Sequence, residues 1–134
     1  MPEIYGMGHD LLENAQLESA LSKPKAMKRI FTSEEIEHCR GQKADKLACF
    51  ARRFAVKEAV IKALGYPCGQ LSEISVKRGD EGAPIVEWGR LSERGLRAIV
   101  SASSSGAYSS ATAILVALVP TDERSGRDGE PQTG

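Results

Sequence analysis

The chain has 134 residues, of which 41% are hydrophobic and 27% charged, a composition typical of one soluble globular domain with its own core. Its 18 basic and 18 acidic side chains cancel, so the charge balance indicates neither a nucleic acid nor an anionic membrane as the main partner. The three cysteines, Cys39, Cys49 and Cys68, show no C-x-x-C spacing, which argues against a zinc site or a disulfide framework.

The first residues, "MPEIYGMGHDLLEN", lack a basic segment followed by an apolar run, so we expect no signal peptide. No stretch of the sequence approaches the roughly 18 consecutive apolar residues that a membrane span needs. We therefore expect a protein of the reducing cytoplasm that contacts no membrane.

The N-terminal segment predicts a short strand followed by a helix. "EIYGMG" has the alternation of a strand, which would end at Gly8-His9-Asp10. From Leu11 to Leu21, leucines and alanines recur roughly at helical spacing. Asp10 would then either cap this helix, a common use of aspartate, or point into a site at the end of the strand.

Two further helices are predicted in the central part of the chain. In "FTSEEIEHCRG", Thr32 or Ser33 can cap a helix that has acidic residues in its first turn and ends at Gly41. We expect Glu35 to serve as one of these first-turn acids. The longest helical segment is "ADKLACFARRFAVKEAVIKALG", and Gly65 closes it.

The C-terminal half predicts a hairpin, a short helix or turn, and two more strands. "ISVKR" and "IVEWG" flank the turn "GDEGAP", and the later strands are "RAIVSAS" and "SATAILVALV". The element order β-α-α-α-β-β-α-β-β predicts an α+β domain over residues 1–120, with helices on one face of a largely antiparallel sheet. We expect the polar residues 121–134 to form a disordered tail.

The long helix carries charged side chains in apolar surroundings. Apolar residues cover two opposite sides of it, which leaves little of its circumference for solvent. Its charges fall into two clusters, Arg53 with Lys57 and Glu58 with Lys62. The second pair has the acid-first spacing of four residues that favours an ion pair.

Two interpretations of these charges remain open. They can form surface ion pairs, which contribute only ~0.3–0.5 kcal/mol each. Alternatively, a partly buried carboxylate and a base one turn away suit a bound metal–phosphate group. With Asp10 as a second carboxylate, two oxygen ligands plus substrate phosphates and water would suit magnesium.

Three segments, "YGMGHDLLE", "RIFTSEEIEHC" and "FARRFAVKEAVIKALG", resemble the main motifs of the holo-acyl-carrier-protein synthases, which are small 4'-phosphopantetheinyl transferases. The resemblance extends from Ile4 to about Val119, and "RFAVKEA" is its most specific part. It implies the fold of that family and a magnesium-dependent reaction. Coenzyme A would donate 4'-phosphopantetheine to a serine hydroxyl of an apo acyl carrier protein, with adenosine 3',5'-bisphosphate as the other product.

The resemblance also implies roles for individual residues. Asp10 and Glu58 would bind the metal, Lys62 would contact the pyrophosphate of coenzyme A, and Arg53 and Lys57 would steady its nucleotide end. The family usually forms a trimer with coenzyme A in clefts between neighbours, so a homotrimer is implied here. Neither the general base nor the carrier protein, of fatty-acid or polyketide type, is identified by these motifs.

Several positions depart from the family's motifs. Gly65-Tyr66-Pro67 replaces a Gly-Thr-Gly type loop, and Ser104 stands where many relatives have a histidine. Gln16 takes the place of an arginine that typically meets acidic side chains of the carrier protein. The basic residues within 23–29 can take over that docking or form a solvated stretch. The alternative hypotheses are a relative that binds coenzyme A or a carrier protein without turnover, and a structural module with surface ion pairs.

Overall fold

The computed structural model describes residues 3–65, 67, 69–80 and 82–118. Two short 3-10 turns, Asn14–Leu17 and Leu71–Glu73, accompany the main elements. The helices and strands are, in chain order, β1 (Ile4–Glu13), α1 (Glu18–Leu21), α2 (Pro24–Ile30), α3 (Ser33–Arg40), α4 (Lys46–Leu64), β2 (Ser75–Arg78), β3 (Pro84–Glu87), α5 (Gly89–Glu93), β4 (Leu96–Ser105) and β5 (Tyr108–Ala117).

Two antiparallel sheets and one long helix form the architecture. Strand β5 lies between β1 and β4 in a three-stranded sheet, and β2 pairs with β3 in a separate hairpin. Helix α4 packs against all three strands of the larger sheet. The predicted α+β class, with an antiparallel sheet and an apolar central strand, is confirmed. Within the described residues no helix has the length and apolar character needed to cross a membrane.

Strand β1 is longer than predicted. It continues through Asp10 to Glu13 and pairs with β5 along its length, with Asp10 opposite Ala111. The predicted helix therefore begins too early: residues 11–13 are strand, and only the 3-10 turn Asn14–Leu17 and α1 are helical. Asp10 lies within the strand and does not cap this helix. The reason is tertiary: β5 offers a partner for each residue from Gly6 to Glu13. Pairing with this strand overrides the helical propensity that the spacing of the leucines indicates.

A helix that the sequence analysis did not predict, α2, follows this region. Pro24 stands at its first position, where the missing amide costs nothing because it would have no intrahelical partner. Pro24 therefore marks the start of a helix. Met27 packs into the core from α2 with 2% of its surface exposed.

The central helices begin and end as predicted. Thr32 caps α3 by accepting a hydrogen bond from the Glu35 amide at 3.1 Å, and the Glu35 carboxylate accepts one in return from the Thr32 amide at 2.9 Å. This reciprocal pair is a capping box. Helix α4 ends at Gly65, whose φ of 103° lies in the left-handed region that favours glycine.

Candidate active site

Strand β1 lies directly against α4 because two glycines leave room for the helix backbone. A Cβ atom on Gly6 would stand 2.1 Å from the Ala63 carbonyl oxygen, and one on Gly8 would stand 2.0 Å from that of Ala59. Alternate residues of a strand share a face, so Asp10 follows Gly6 and Gly8 on the side that faces α4. The close approach of the two backbones thus places the Asp10 carboxylate beside this helix.

Asp10 and Lys62 are in direct contact. The Lys62 ammonium donates a hydrogen bond to Asp10 Oδ1 at 3.0 Å and another to the His9 carbonyl oxygen at 3.1 Å. The Asp10 side chain is only 13% exposed, whereas that of Lys62 is 53% exposed. The carboxylate is therefore held in place, and the ammonium group reaches it from the solvent side.

Glu58 belongs to the same cluster. Burial raises the pKa of its carboxyl group above the ordinary value, the Asp10 carboxylate raises this pKa further, and Lys62 opposes both effects. The predicted ion pair between Glu58 and Lys62 does not form within the described residues, because Lys62 pairs with Asp10 instead. Two carboxylates from distant parts of the chain thus repel each other beside one ammonium group.

This cluster fits a hard divalent cation. Within the described residues no three or more His, Cys, Asp or Glu side chains gather into a metal cage. Asp10 and Glu58 offer carboxylate oxygens, and magnesium typically takes one or two carboxylates and completes its shell with water and substrate phosphates. A cation would also relieve the repulsion that raises the Glu58 pKa. The His9 side chain lies elsewhere, with Nδ1 3.1 Å from Thr112 Oγ1.

Arg53 lies at a cationic cavity of about 240 Å³. Basic side chains from three elements contribute to the lining of this cavity, namely His38, Arg52, Arg53, Lys77 and Arg78. Arg53 Nη1 donates to Cys49 Sγ at 3.2 Å, while its Nε is buried and has no hydrogen-bond partner among the described residues. The cavity therefore suits an anionic group.

Lys57 does not lie at this cavity, and the structure gives it a different role from the predicted contact with a nucleotide. Its side chain is 0% exposed. The ammonium donates to Glu35 Oε1 at 2.6 Å and to the Ile30 carbonyl oxygen at 2.7 Å. Lys57 and Glu35 form an internal ion pair, so the charge of Lys57 is compensated inside the protein and is not available to a ligand.

Glu35 is fully engaged by the same network. Its Oε1 accepts from Lys57 and from the Thr32 amide, and its Oε2 accepts from the Val76 amide at 2.6 Å. The predicted first-turn role is confirmed, and the carboxylate additionally joins α3 to α4 and β2. With both oxygens occupied, Glu35 is poorly placed to act as a general base.

Sequence reasoning missed several residues around the cavity. Lys77 and Arg78 come from β2, and their proximity to α4 depends on how the hairpin packs, which local patterns do not encode. Arg52 carries a weak sequence signal, since it stands beside Arg53 in the "FARRF" motif. Its Nη1 donates to Ser104 Oγ at 3.0 Å, so the serine at the family's histidine position contacts the motif helix.

The chain matches a known protein family over most of its length. Residues 6–114 match the family model described as the 4'-phosphopantetheinyl transferase superfamily, ACPS. The chain belongs to this superfamily. The match includes β1, α4 and the hairpin, and therefore every residue of the carboxylate–ammonium cluster and of the cationic cavity.

Individual relatives within the phosphopantetheinyl transferase superfamily are similar over different lengths. A holo-[acyl-carrier-protein] synthase of Magnetococcus marinus is 40% identical over 90 aligned residues. The alignment covers 62% of this chain and only 65% of that protein's length. One from Syntrophotalea carbinolica is 37% identical over 126 residues, which are 86% of this chain and 98% of that protein.

A solved structure shows the same fold. The crystal structure of a holo-(acyl-carrier-protein) synthase from Bacillus anthracis in complex with CoA (3',5'-ADP) superposes with a TM-score of 0.73. It is 32% identical in sequence, and the alignment covers 85% of this chain and 97% of that one. The α+β architecture is thus that of the superfamily.

Proposed function

We propose that this protein transfers 4'-phosphopantetheine from coenzyme A to a serine hydroxyl of an apo acyl carrier protein, releasing adenosine 3',5'-bisphosphate, with magnesium as cofactor. The observation that carries the proposal is the convergence of Asp10, Glu58 and Lys62 in a member of the phosphopantetheinyl transferase superfamily. A cytoplasmic setting stays a prediction.

The cluster suits phosphoryl transfer, in which a protein mostly positions groups and neutralises charge. Asp10 and Glu58 would hold the metal, and magnesium, when bound, would offset the charge that grows on the leaving phosphate. Lys62 would turn from Asp10 towards the pyrophosphate, a short movement for a side chain that is 53% exposed. The attacking hydroxyl belongs to the partner, so the reaction requires no nucleophile from this chain.

The cationic cavity would hold the phosphate at the nucleotide end of coenzyme A. Arg53 is five residues before Glu58 on α4, about 7.5 Å along the helix axis. Its buried Nε lacks an acceptor among the described residues, and a phosphate oxygen would supply one. Lys57 is left out of this proposal because its charge is already paired with Glu35.

A homotrimer would cover the outer face of the three-stranded sheet. This face turns away from α4, and large apolar side chains on it are exposed, among them Met7 at 66%, Leu11 at 62% and Ile99 at 48%. Contiguous apolar patches of this kind typically mark protein–protein contacts. We propose that the occupant is a second copy of this chain, as the family resemblance implies.

The carrier protein would dock near α2. Lys23, Lys25, Lys28 and Arg29 are all exposed there, and Lys28 and Arg29 stand in the last turn of the helix. This patch would attract an acidic carrier surface and would compensate for Gln16.

Mass spectrometry tests the proposed reaction. The full chain is mixed with coenzyme A, magnesium and an apo carrier protein, and the carrier should gain one phosphopantetheinyl group. A chelator should abolish this gain. Coenzyme A binding without any gain, over a panel of fatty-acid and polyketide carriers, would favour the binding protein without turnover. Absence of both binding and transfer would favour the structural module.

A further inference from the structure

Cys49 is the thiol that faces the cationic cavity. It contributes to the lining of the cavity and has 3% of its surface exposed, whereas Cys39 does not line the cavity and has 0% of its surface exposed. The Cys39 thiol donates a hydrogen bond to the Cys49 sulfur. Helix α3, near its C-terminus, and the first turn of α4 thus bring two sulfur atoms together, and one of them can be reached from the cavity.

The surroundings favour a thiolate at Cys49. Arg53 Nη1 stands 3.2 Å from Cys49 Sγ, and among the described residues Arg53 pairs with no carboxylate. The pKa of Cys49 is lowered to about 6, chiefly by the hydrogen bond with Cys39 and also by Arg53, Arg52 and Arg78, against the effect of burial. The same hydrogen bond and burial raise the pKa of Cys39, which keeps its proton.

We propose that Cys49 is a modification site that undergoes thiol–disulfide exchange with small disulfides carrying carboxylate or phosphate groups, and that Cys39 resolves the product. Thiolates are the reactive form of cysteine, and basic, partly accessible surroundings are typical of reactive ones. The basic side chains of the cavity would concentrate an anionic disulfide near the sulfur.

The exchange balances in two steps. The Cys49 thiolate attacks one sulfur of the small disulfide, forms a mixed disulfide, and expels the other half as a thiolate, which takes a proton from water. Cys39 then loses its proton and attacks the Cys49 sulfur, which expels the second small thiol. The net reaction converts two protein thiols and one small disulfide into a Cys39–Cys49 disulfide and two small thiols.

One consequence rests on the proposed function. A Cys49 sulfur bound to Cys39 no longer offers a negative charge to Arg53, and an adduct on Cys49 would fill part of the 240 Å³ cavity. Oxidation would therefore change the KM for coenzyme A. The modification itself is detected by mass, so its failure is distinguishable from a failure of the proposed transferase activity.

Oxidised glutathione, an anionic disulfide, is the probe. The full chain carrying Cys68→Ser is incubated with it and analysed by intact mass and peptide mapping. The expected product has lost two hydrogens and links Cys39 to Cys49. Cys39→Ser should stop at one glutathionyl group on Cys49, and Cys49→Ser should give neither product. Neutral 2-hydroxyethyl disulfide should react at least about tenfold more slowly, because the cavity concentrates anions.

The pH dependence provides a second readout. The charged and titratable groups around Cys49 are His38 and Cys39 on α3, Arg52 and Arg53 on α4, and Lys77 and Arg78 on β2. Burial and nearby arginines lower the pKa of His38, which favours its neutral form while Cys49 titrates. The rate of Cys49 modification should therefore rise with a single midpoint near pH 6.

Three outcomes would overturn the proposal. They are an unmodified Cys49 in the wild-type cavity, modification of Cys39 with Cys49 intact, and a midpoint at the pKa of an ordinary free cysteine. Circular dichroism checks that each variant is folded. If Cys39→Ser does not fold, the peptide map and pH profile of the chain that retains both thiols decide the question.

Discussion

At the residue scale, the cluster of Asp10, Glu58 and Lys62 contains two carboxylates that repel each other. Asp10 is a partly buried strand residue, Glu58 is partly buried on α4, and the exposed ammonium of Lys62 pairs with Asp10 while it lowers the pKa of Glu58. Close like charges oppose ionisation of both groups, and a cation removes that conflict. The cluster therefore lowers the stability of the free protein while it prepares a binding site, a combination typical of functional sites.

Replacement of Glu58 by glutamine should separate function from stability. Glu58→Gln keeps the shape but removes a metal ligand, so kcat/KM for transfer should fall by at least about a hundredfold. Carrier mass gain against time measures this, with circular dichroism as the check on folding. Glu93→Gln, which changes an exposed acid on α5, should turn over normally. Normal turnover by Glu58→Gln would remove this residue from the site.

The stability of the same variant should depend on pH. The pKa of Glu58 is raised in the folded protein, so the folded state favours the protonated form, and its contribution to stability is lost as pH rises from the unfolded pKa through the folded one. Without metal, the Tm of Glu58→Gln should therefore equal that of the wild type in acid. As pH rises, the Tm of the variant should increasingly exceed that of the wild type. Thermal melts across pH measure this. A glutamine variant that becomes less stable than wild type towards neutral pH would contradict the raised pKa.

At the element scale, the buried pair of Glu35 and Lys57 connects three elements. It joins α3 to α4, and through the Val76 amide it holds β2, which carries Lys77 and Arg78 to the cavity. The ring of Phe31 lies 5.3 Å from the Lys57 ammonium. The pair thus fixes the geometry of the cationic cavity without contacting a ligand itself.

Replacement of one member of this pair should strongly lower the free energy of unfolding. Lys57→Met leaves the Glu35 carboxylate buried without its cation, which should lower the free energy of unfolding by about 3–5 kcal/mol. Urea denaturation measures the change. Lys77→Met breaks an exposed pair with Glu87 and should leave the free energy of unfolding nearly unchanged, because solvent screens such pairs. An equal decrease in the free energy of unfolding for the two variants would show that the buried Glu35–Lys57 pair contributes no more to stability than an exposed pair.

The contact between β1 and α4 permits a steric test. Gly8→Ala introduces a Cβ atom 2.0 Å from the Ala59 carbonyl oxygen, so the strand must move away from the helix, at a cost of about 1–3 kcal/mol or more. Because Asp10 moves with the strand, transfer should fall as well. Gly89→Ala is the control, since a Cβ there meets nothing within 4 Å. Unchanged stability and activity of Gly8→Ala would disprove the close approach.

At the scale of the whole molecule, local signals explain part of the fold. The Thr32 cap, the Gly65 stop and the apolar faces of α4 are encoded within a few neighbouring residues, so these elements could be predicted. The length of β1 could not, because it depends on β5, about a hundred residues away. The burial of Lys57 could not be predicted for the same reason, since the buried carboxylate that pairs with it comes from α3.

The outer face of the sheet should govern assembly. Met7→Glu places a charge among exposed apolar side chains, so the proposed trimer should dissociate while the monomer stays folded. Light scattering after size exclusion measures the mass. Glu73→Gln, outside this face on a 3-10 turn, should leave the mass unchanged. A wild-type protein that is monomeric at high concentration would contradict the trimer.

The most direct test of the whole account is calorimetric titration of coenzyme A with and without magnesium. In the proposed reaction, Asp10 and Glu58 together bind a cation at the pyrophosphate. Magnesium should therefore raise the affinity of the wild-type protein for coenzyme A by at least about tenfold. Asp10→Asn and Glu58→Gln should each lose this increase, while Glu93→Gln keeps it. An undiminished magnesium effect in either carboxylate variant would contradict the account.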